Sequence, residues 1–209
     1  MKFILFLLII LLTGCNNSNI INNTQNINSV ENLNISTPLI SEQNITNETN
    51  IEPEVKAPVP ELLSTFTTTI YTKTEERQNN VKIACNQLNG ITVESRQTFS
   101  FTETLGPATP ENGYLKADSF DEDGDIIQEY GGGKCQISTT LYNAVLAVPS
   151  FVVIERHEHS NDVPYIEEGL DAAVAYGSID FKFRNDLPST IRIDASCTDD
   201  TITISIYKL

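Results

Sequence analysis

Histidine is scarce in this 209-residue chain: only His157 and His159 can supply an imidazole. Cations are short too, with 13 Lys and Arg against 28 Asp and Glu and a formal net charge of -15. A chain this acidic is repelled by phosphate polyanions, which argues against a nucleic-acid partner, and it is not drawn by charge to an anionic membrane. Spanning a bilayer takes about 20 apolar residues. The apolar run at 3–12 has ten. It follows Lys2 and leads to Leu12-Thr13-Gly14-Cys15, the layout of a bacterial secretory signal closed by a lipobox. Residues 1–14 are expected to be a lipoprotein signal peptide. Cys15 is then the lipidation site, anchoring an exported protein to the outer face of the cytoplasmic membrane, or to an outer membrane where one exists.

Aromatic residues are missing from 16–50, where 12 of 35 positions are asparagine. Such a segment cannot bury enough apolar surface to offset its ordering entropy. Pro53, Pro58 and Pro60 stiffen its end. Residues 15–61 therefore read as the lipidated cysteine and a tether of roughly 35–40 Å r.m.s. span. Residues 62–209 are enough for one core. Three cysteines remain once Cys15 carries lipid, namely Cys85, Cys135 and Cys197, so at least one thiol is not in an intramolecular disulfide. Cys85 and Cys197 read as small core residues or as one disulfide.

Within 62–209 the patterns alternate by period. Residues 65–72 read as a strand, and 76–88 as a helix whose stripe is Val81, Ala84, Cys85 and Leu88, closed by Asn89-Gly90. Short strands are expected at 91–93 and 98–101, and a hairpin of 114–120 with 126–130 around the acidic turn at 121–125. Gly131-Gly132-Gly133 then leads into a helix from Cys135 to Val148, stopped by Pro149. Strands are expected at 151–159, 172–184, 190–197 and 201–207. The order predicts an α+β domain, mainly antiparallel sheet with two principal helices, the second starting at Cys135.

A cysteine where a glycine-rich loop enters a helix sits in the field of unpaired N–H groups, which favours its thiolate. Gly132 and Gly133 let a substrate backbone approach the sulfur, and the same N–H groups can hold an oxyanion. The thiolate then needs a base. His157 and His159 are at i and i+2 of an expected strand and so leave one face of it, which does not choose between them. Asp171 or Asp180 can orient the histidine. Arg156 and Arg184 are candidates for a substrate carboxylate. A thiol acyl transfer takes no cofactor. The alternatives for these residues are a phosphate-cradling loop, a structural cysteine, or a zinc site of Cys135, His157, His159 and an acid.

The segments Ser64-Thr65-Phe66-Thr67-Thr68, Leu105-Gly106-Pro107, Gly131-Gly132-Gly133, Cys135-Gln136-Ile137-Ser138-Thr139-Thr140-Leu141-Tyr142-Asn143-Ala144, Glu155-Arg156-His157, His159-Ser160, Asp171-Ala172 and Tyr176-Gly177 together resemble the VanW domain. The resemblance runs in order from about 62 to 207. It implies a glycopeptide-resistance-related family that includes cysteine-dependent peptidoglycan L,D-transpeptidases, with the nucleophile at Cys135 and the family's His-Ser histidine at His159. Catalytic residues are then expected among Cys135, His159, His157 and Asp171. Gly132, Gly133, Gln136, Ser138, Arg156 and Tyr176 are expected to contact substrate. Lys134 departs from the family pattern, where an apolar residue is usual. The expected function is cross-linking of peptidoglycan stem peptides; the alternative is a non-catalytic module that binds peptidoglycan or a wall-synthesis partner.

Overall fold

The computed structural model describes residues 59–120 and 125–209, without the side chain of Phe120. The expected signal peptide, Cys15, the tether up to residue 58 and most of the acidic turn lie outside the described residues. The elements in chain order are β1 (Glu61–Thr69), α1 (Glu75–Leu88), β2 (Ile91–Val93), β3 (Thr98–Ser100), α2 (Phe101–Leu105), β4 (Lys116–Phe120) and β5 (Ile126–Tyr130). They continue as α3 (Lys134–Leu146), β6 (Phe151–Glu155), β7 (Lys182–Asn185), β8 (Ile191–Cys197) and β9 (Thr201–Lys208). This is the expected α+β class, mainly antiparallel, with α1 and α3 as the two substantial helices.

All strand pairs are antiparallel, in a four-stranded sheet β1-β9-β8-β2, a three-stranded sheet β3-β7-β6 and the hairpin β4-β5. In the larger sheet, inward Ile191, Ile193, Ile202, Ile204 and Ile206 are fully buried. Hydroxyl pairs such as Thr65–Ser205 and Thr67–Thr203, at 3.0 and 2.9 Å, lie on exposed positions between them. That alternation is what one covered and one wet face requires. The cover is α1 across β8 and α3 across β1 and β9.

α1 begins where Thr74 accepts a hydrogen bond from the Arg77 N–H, with Glu75 and Glu76 in the positive first turn. Its buried stripe includes two polar residues, Arg77 and Asn80. Asn80 joins helix, hairpin and glycine loop. Its side chain donates to Leu115 O at 2.8 Å and Gly132 O at 3.3 Å and accepts from the Leu115 N–H at 2.8 Å.

Two expected strands are shorter in the structure. The segment 151–159 is a strand only to Glu155, and of 172–184 only Lys182 onward is ladder. Residues 156–181 between them form isolated bridges, His157 with Ala173 and Ala175 with Ile179. Beside those two bridges, side chains of α3 bond the alternate positions: Ser138 and Thr139 the Ala172 backbone, and Cys135 the Val174 carbonyl. A helix, α2, also occupies the expected loop after β3: the Ser100 side chain caps it by accepting from the Glu103 N–H at 3.2 Å.

Asn80 is fully buried, so Asn80→Ala leaves backbone groups of two other elements without partners. We expect it to lower unfolding stability by about 1–3 kcal/mol, read by denaturant titration.

Candidate active site

α3 starts on Gly133 at φ 113°, which supplies no capping side chain. The Lys134 N–H donates to Gly131 O at 3.0 Å and the Gln136 N–H to Gly133 O at 3.1 Å, which leaves the N–H of Cys135, the second residue of the helix, without a backbone acceptor. All three glycines before the helix are dictated by space: a Cβ on Gly131 would lie 2.5 Å from that of Ala108. A Cβ on Gly132 would lie 2.6 Å from the backbone oxygen of Asp118, and one on Gly133 would lie 2.9 Å from Val81 in addition to its left-handed φ. The triplet is therefore packed between α1 and β4 and fixes where the helix begins.

The polar face of α3 determines what stands opposite the cysteine. Ser138 Oγ donates to Ala172 O at 2.5 Å, Asn143 Nδ2 donates to Leu170 O at 2.7 Å, and Thr139 Oγ1 accepts from the Ala172 N–H at 3.0 Å. These bonds clamp 170–172 along the helix and so locate Asp171. Gln136 does the same toward the sheet, donating to Thr69 O at 2.7 Å. Gln136 and Ser138, expected to contact substrate, have their polar groups on protein partners: Ser138 on backbone carbonyls, and Gln136 on Thr69 O, the Thr68 hydroxyl and the Arg77 guanidinium.

Asp171 is 6% exposed. Its Oδ2 accepts from both the backbone N–H and the Nδ1 of His159, each at 2.6 Å. Its Oδ1 pairs with Arg156 Nη2 at 2.8 Å, while Arg156 Nε donates to the Asp171 carbonyl at 2.6 Å and the guanidinium covers the Tyr142 ring. Arg156 is thus the anchor of Asp171, with Glu158 as a second partner. With Nδ1 engaged, the His159 ring meets the Cys135 thiol through Nε2; the thiol also contacts Val174 O at 3.4 Å. His157 is directed elsewhere: its Nε2 lies 3.1 Å from Glu155 and its side chain is 42% exposed. The reason is that β6 stops at Glu155, so the two-residue period does not carry both rings to one face. Asp180, the other acid considered, accepts from Ser100 Oγ at 2.5 Å and the Thr102 N–H at 2.9 Å, at the start of α2.

The electrostatics follow from these contacts. Burial pushes the Cys135 thiol up, but the His159 hydrogen bond and charge, the Val174 backbone and the Arg77 charge outweigh it, and its pKa lies below the ordinary thiol value. Burial alone lowers His159; its contacts with Cys135 and then Asp171 prevail and raise it. Burial would raise Asp171, yet its His159 bonds and Arg156 hold it down. The three together favour thiolate, imidazolium and carboxylate.

Sequence reasoning missed Arg77 and Tyr165, both of which line a small cavity of about 40 Å³ with Cys135 and His159. The signal for Arg77 was a charged residue in register with the Val81, Ala84 and Leu88 stripe. Outside this cavity Cys135 and His159 open to a groove of about 460 Å³ bordered by Glu129, Glu158, Val174, Ala175 and Ile179. Tyr176, 54% exposed, borders a third space with Cys135 and Lys134. The Lys134 ammonium reaches Gly106 O at 2.6 Å and covers the Tyr114 ring, so it is engaged away from the sulfur. Cys85 and Cys197 lie in contact as free thiols, and burial raises the Cys85 pKa. Among the described residues no group of three or more His, Cys, Asp or Glu side chains converges as metal ligands.

The family described as VanW like protein matches residues 76–207, a span that contains Cys135, His159, Asp171 and Arg77. The chain belongs to the VanW family. "Uncharacterized protein YoaR" of Bacillus subtilis is 31% identical over 166 residues, 77% of this chain and 54% of that protein. "Vancomycin B-type resistance protein VanW" of Enterococcus faecalis is 31% identical over 138 residues, 64% of this chain and 50% of that protein. The chain spans about half the length of these curated relatives. No solved structure matches. The β1 strand of this VanW-like domain precedes the matched span, yet it completes the sheet on which α3 rests.

Asp171→Asn tests the electrostatic linkage. With its carboxylate gone, His159 loses the contacts that help raise it, so the thiol's pKa should climb. Alkylation of Cys135 followed against pH should show a midpoint below the ordinary thiol range in the parent and a higher one in the variant. The depressed carboxyl also adds stability that is present above its unfolded pKa and lost as pH falls through its folded pKa. Removing a buried pair's partner costs about 3–5 kcal/mol at neutral pH, and the parent-variant difference should shrink in acid.

Proposed function

We propose that this VanW-like domain is a cysteine acyltransferase of the cell envelope that cross-links peptidoglycan stem peptides by L,D-transpeptidation. The observation that carries the reading is the continuous Cys135–His159–Asp171 contact at a helix N-terminus, open to a groove of about 460 Å³. Family membership supports it, since the resemblance implies cysteine-dependent members with that activity.

The Cys135 thiolate attacks the carbonyl carbon before the terminal D-amino acid of a donor stem. The oxyanion is met by the Cys135 N–H, the one N–H in the first turn of α3 that has no backbone acceptor. The C–N bond breaks as His159 gives its Nε2 proton to the leaving amine, and a thioester remains on Cys135. An amine of a neighbouring stem then attacks the thioester. A new C–N bond forms, the C–S bond breaks, and His159 takes the amine's proton. Asp171 holds the imidazole by Nδ1 throughout, which keeps Nε2 on the sulfur side.

Incubation with disaccharide-tetrapeptide, read by mass spectrometry, should yield a dimer lacking one terminal residue. Hydrolysate alone would make the domain a peptidase, and no product at all would overturn catalysis. Cys135→Ser should abolish the product with the fold intact. His159→Ala should lower the rate by roughly 10²–10⁴, as for a lost general base, and His157→Ala should do less.

The same proposal holds the domain at the membrane through lipid on Cys15. Cys15→Ser should release it into a soluble or unprocessed form. Persistent lipid labelling of that variant would contradict the anchor.

A further inference from the structure

Arg77 is a cation on the buried stripe of α1, 5% exposed, with no carboxylate in salt-bridge contact among the described residues. Its guanidinium has five N–H donors. One Nη1 bond goes to Asp118 O and one Nη2 bond to Gln136 Oε1, both at 3.1 Å, and Nε is buried without any partner. The acid nearest to it, Asp118, has its own carboxylate bonded to Gln128. A buried cation with no carboxylate in contact is costly, and the protein holds this one in place from two sides, within the field of Asp118 and the Cys135 thiolate.

The charge is aimed at the reacting centre. Arg77 borders the cavity of about 40 Å³ that also contains Cys135, His159, Tyr165, Gly131 and Gly133. That space is too small for a stem peptide, which the groove of about 460 Å³ that shares Ser119, Cys135 and His159 with it suits. It is large enough for a terminal carboxylate. A thiolate between the two spaces faces a chain that lies along the groove and ends in the cavity.

We propose that Arg77 binds the free α-carboxylate of the donor's terminal residue, the residue that leaves, and so restricts the enzyme to donors with an unblocked C-terminus. This assignment rests on the transpeptidase reading and specifies its donor. The guanidinium fork suits a carboxylate in two-point contact, and the Nη hydrogens not spent on Asp118 O and Gln136 Oε1 are the donors for it. Arg77 also raises the positive potential at Cys135, so the residue that selects the donor supports the nucleophile.

The test separates the ligand from the reaction. Alkylation of Cys135 in the full protein is followed by peptide mapping in the presence of N-acetyl-D-alanine or N-acetyl-D-alaninamide. The carboxylate should protect at concentrations at least about tenfold lower than the amide, as the loss of a charge-assisted two-point contact implies. Arg77→Gln should remove that difference, and Arg77→Lys should restore part of it. Equal protection by the two compounds in the parent, or none by either, overturns the assignment, and this comparison does not depend on a variant folding. Donor tetrapeptides with free and amidated C-termini form the second arm. The parent should turn over the free acid with a KM at least about tenfold lower than the amide. Inactivity toward both donors with carboxylate-selective protection intact would sink the transpeptidase reading and leave the carboxylate site standing.

Discussion

Asp171 carries a carboxylate that is nearly enclosed and accepts two hydrogen bonds from His159 and one from Arg156. The rest of the site depends on that placement. Without it the His159 ring has no defined tautomer, and the loop after β6 has no reason to bring residue 159 back to α3. Three side chains of α3 grip the backbone on both sides of Asp171. The helix that presents Cys135 therefore also positions the acid that orients His159. A polar helix face of this kind is expensive unless each group is satisfied, and here Ser138, Thr139 and Asn143 all have backbone partners.

The net charge of the protein opposes a thiolate, yet the local field favours one. Exposed carboxylates more than about 10 Å away are largely screened at ordinary ionic strength, whereas buried partners in contact are screened far less. His159 and the Val174 backbone bond the sulfur and the buried Arg77 charge acts on it, whereas most of the acidic residues among those described are exposed. Contact electrostatics decides the protonation state, and the overall charge acts on encounter with polyanions instead.

The sequence made the elements legible where one periodicity dominated. The α1 stripe, β2 at Ile91–Val93 and the two strands of the β4-β5 hairpin follow directly from pattern and turn residues. The glycine-to-helix junction at Cys135 was visible for the same reason, as was the family. The segment 156–181 was not. Its alternating apolar residues resemble a strand, but its partners are side chains of α3, and periodicity does not report what a segment packs against. Hence the choice between His157 and His159 could not be made from i, i+2 spacing, and Arg156 could not be told from a substrate-binding cation. Arg77 was hidden differently: a lone charge on a buried stripe reads as a solvated edge until the cavity beside it is seen.

The central claim is that Cys135 forms a covalent acyl intermediate. Intact-protein mass spectrometry after rapid acid quench, with donor tetrapeptide and no acceptor amine, measures that species directly. The account predicts a mass increase equal to the donor less its terminal D-amino acid, mapped to the peptide containing Cys135. Cross-linked product from the same preparation with no adduct at any quench time, or an adduct on another residue, would contradict it.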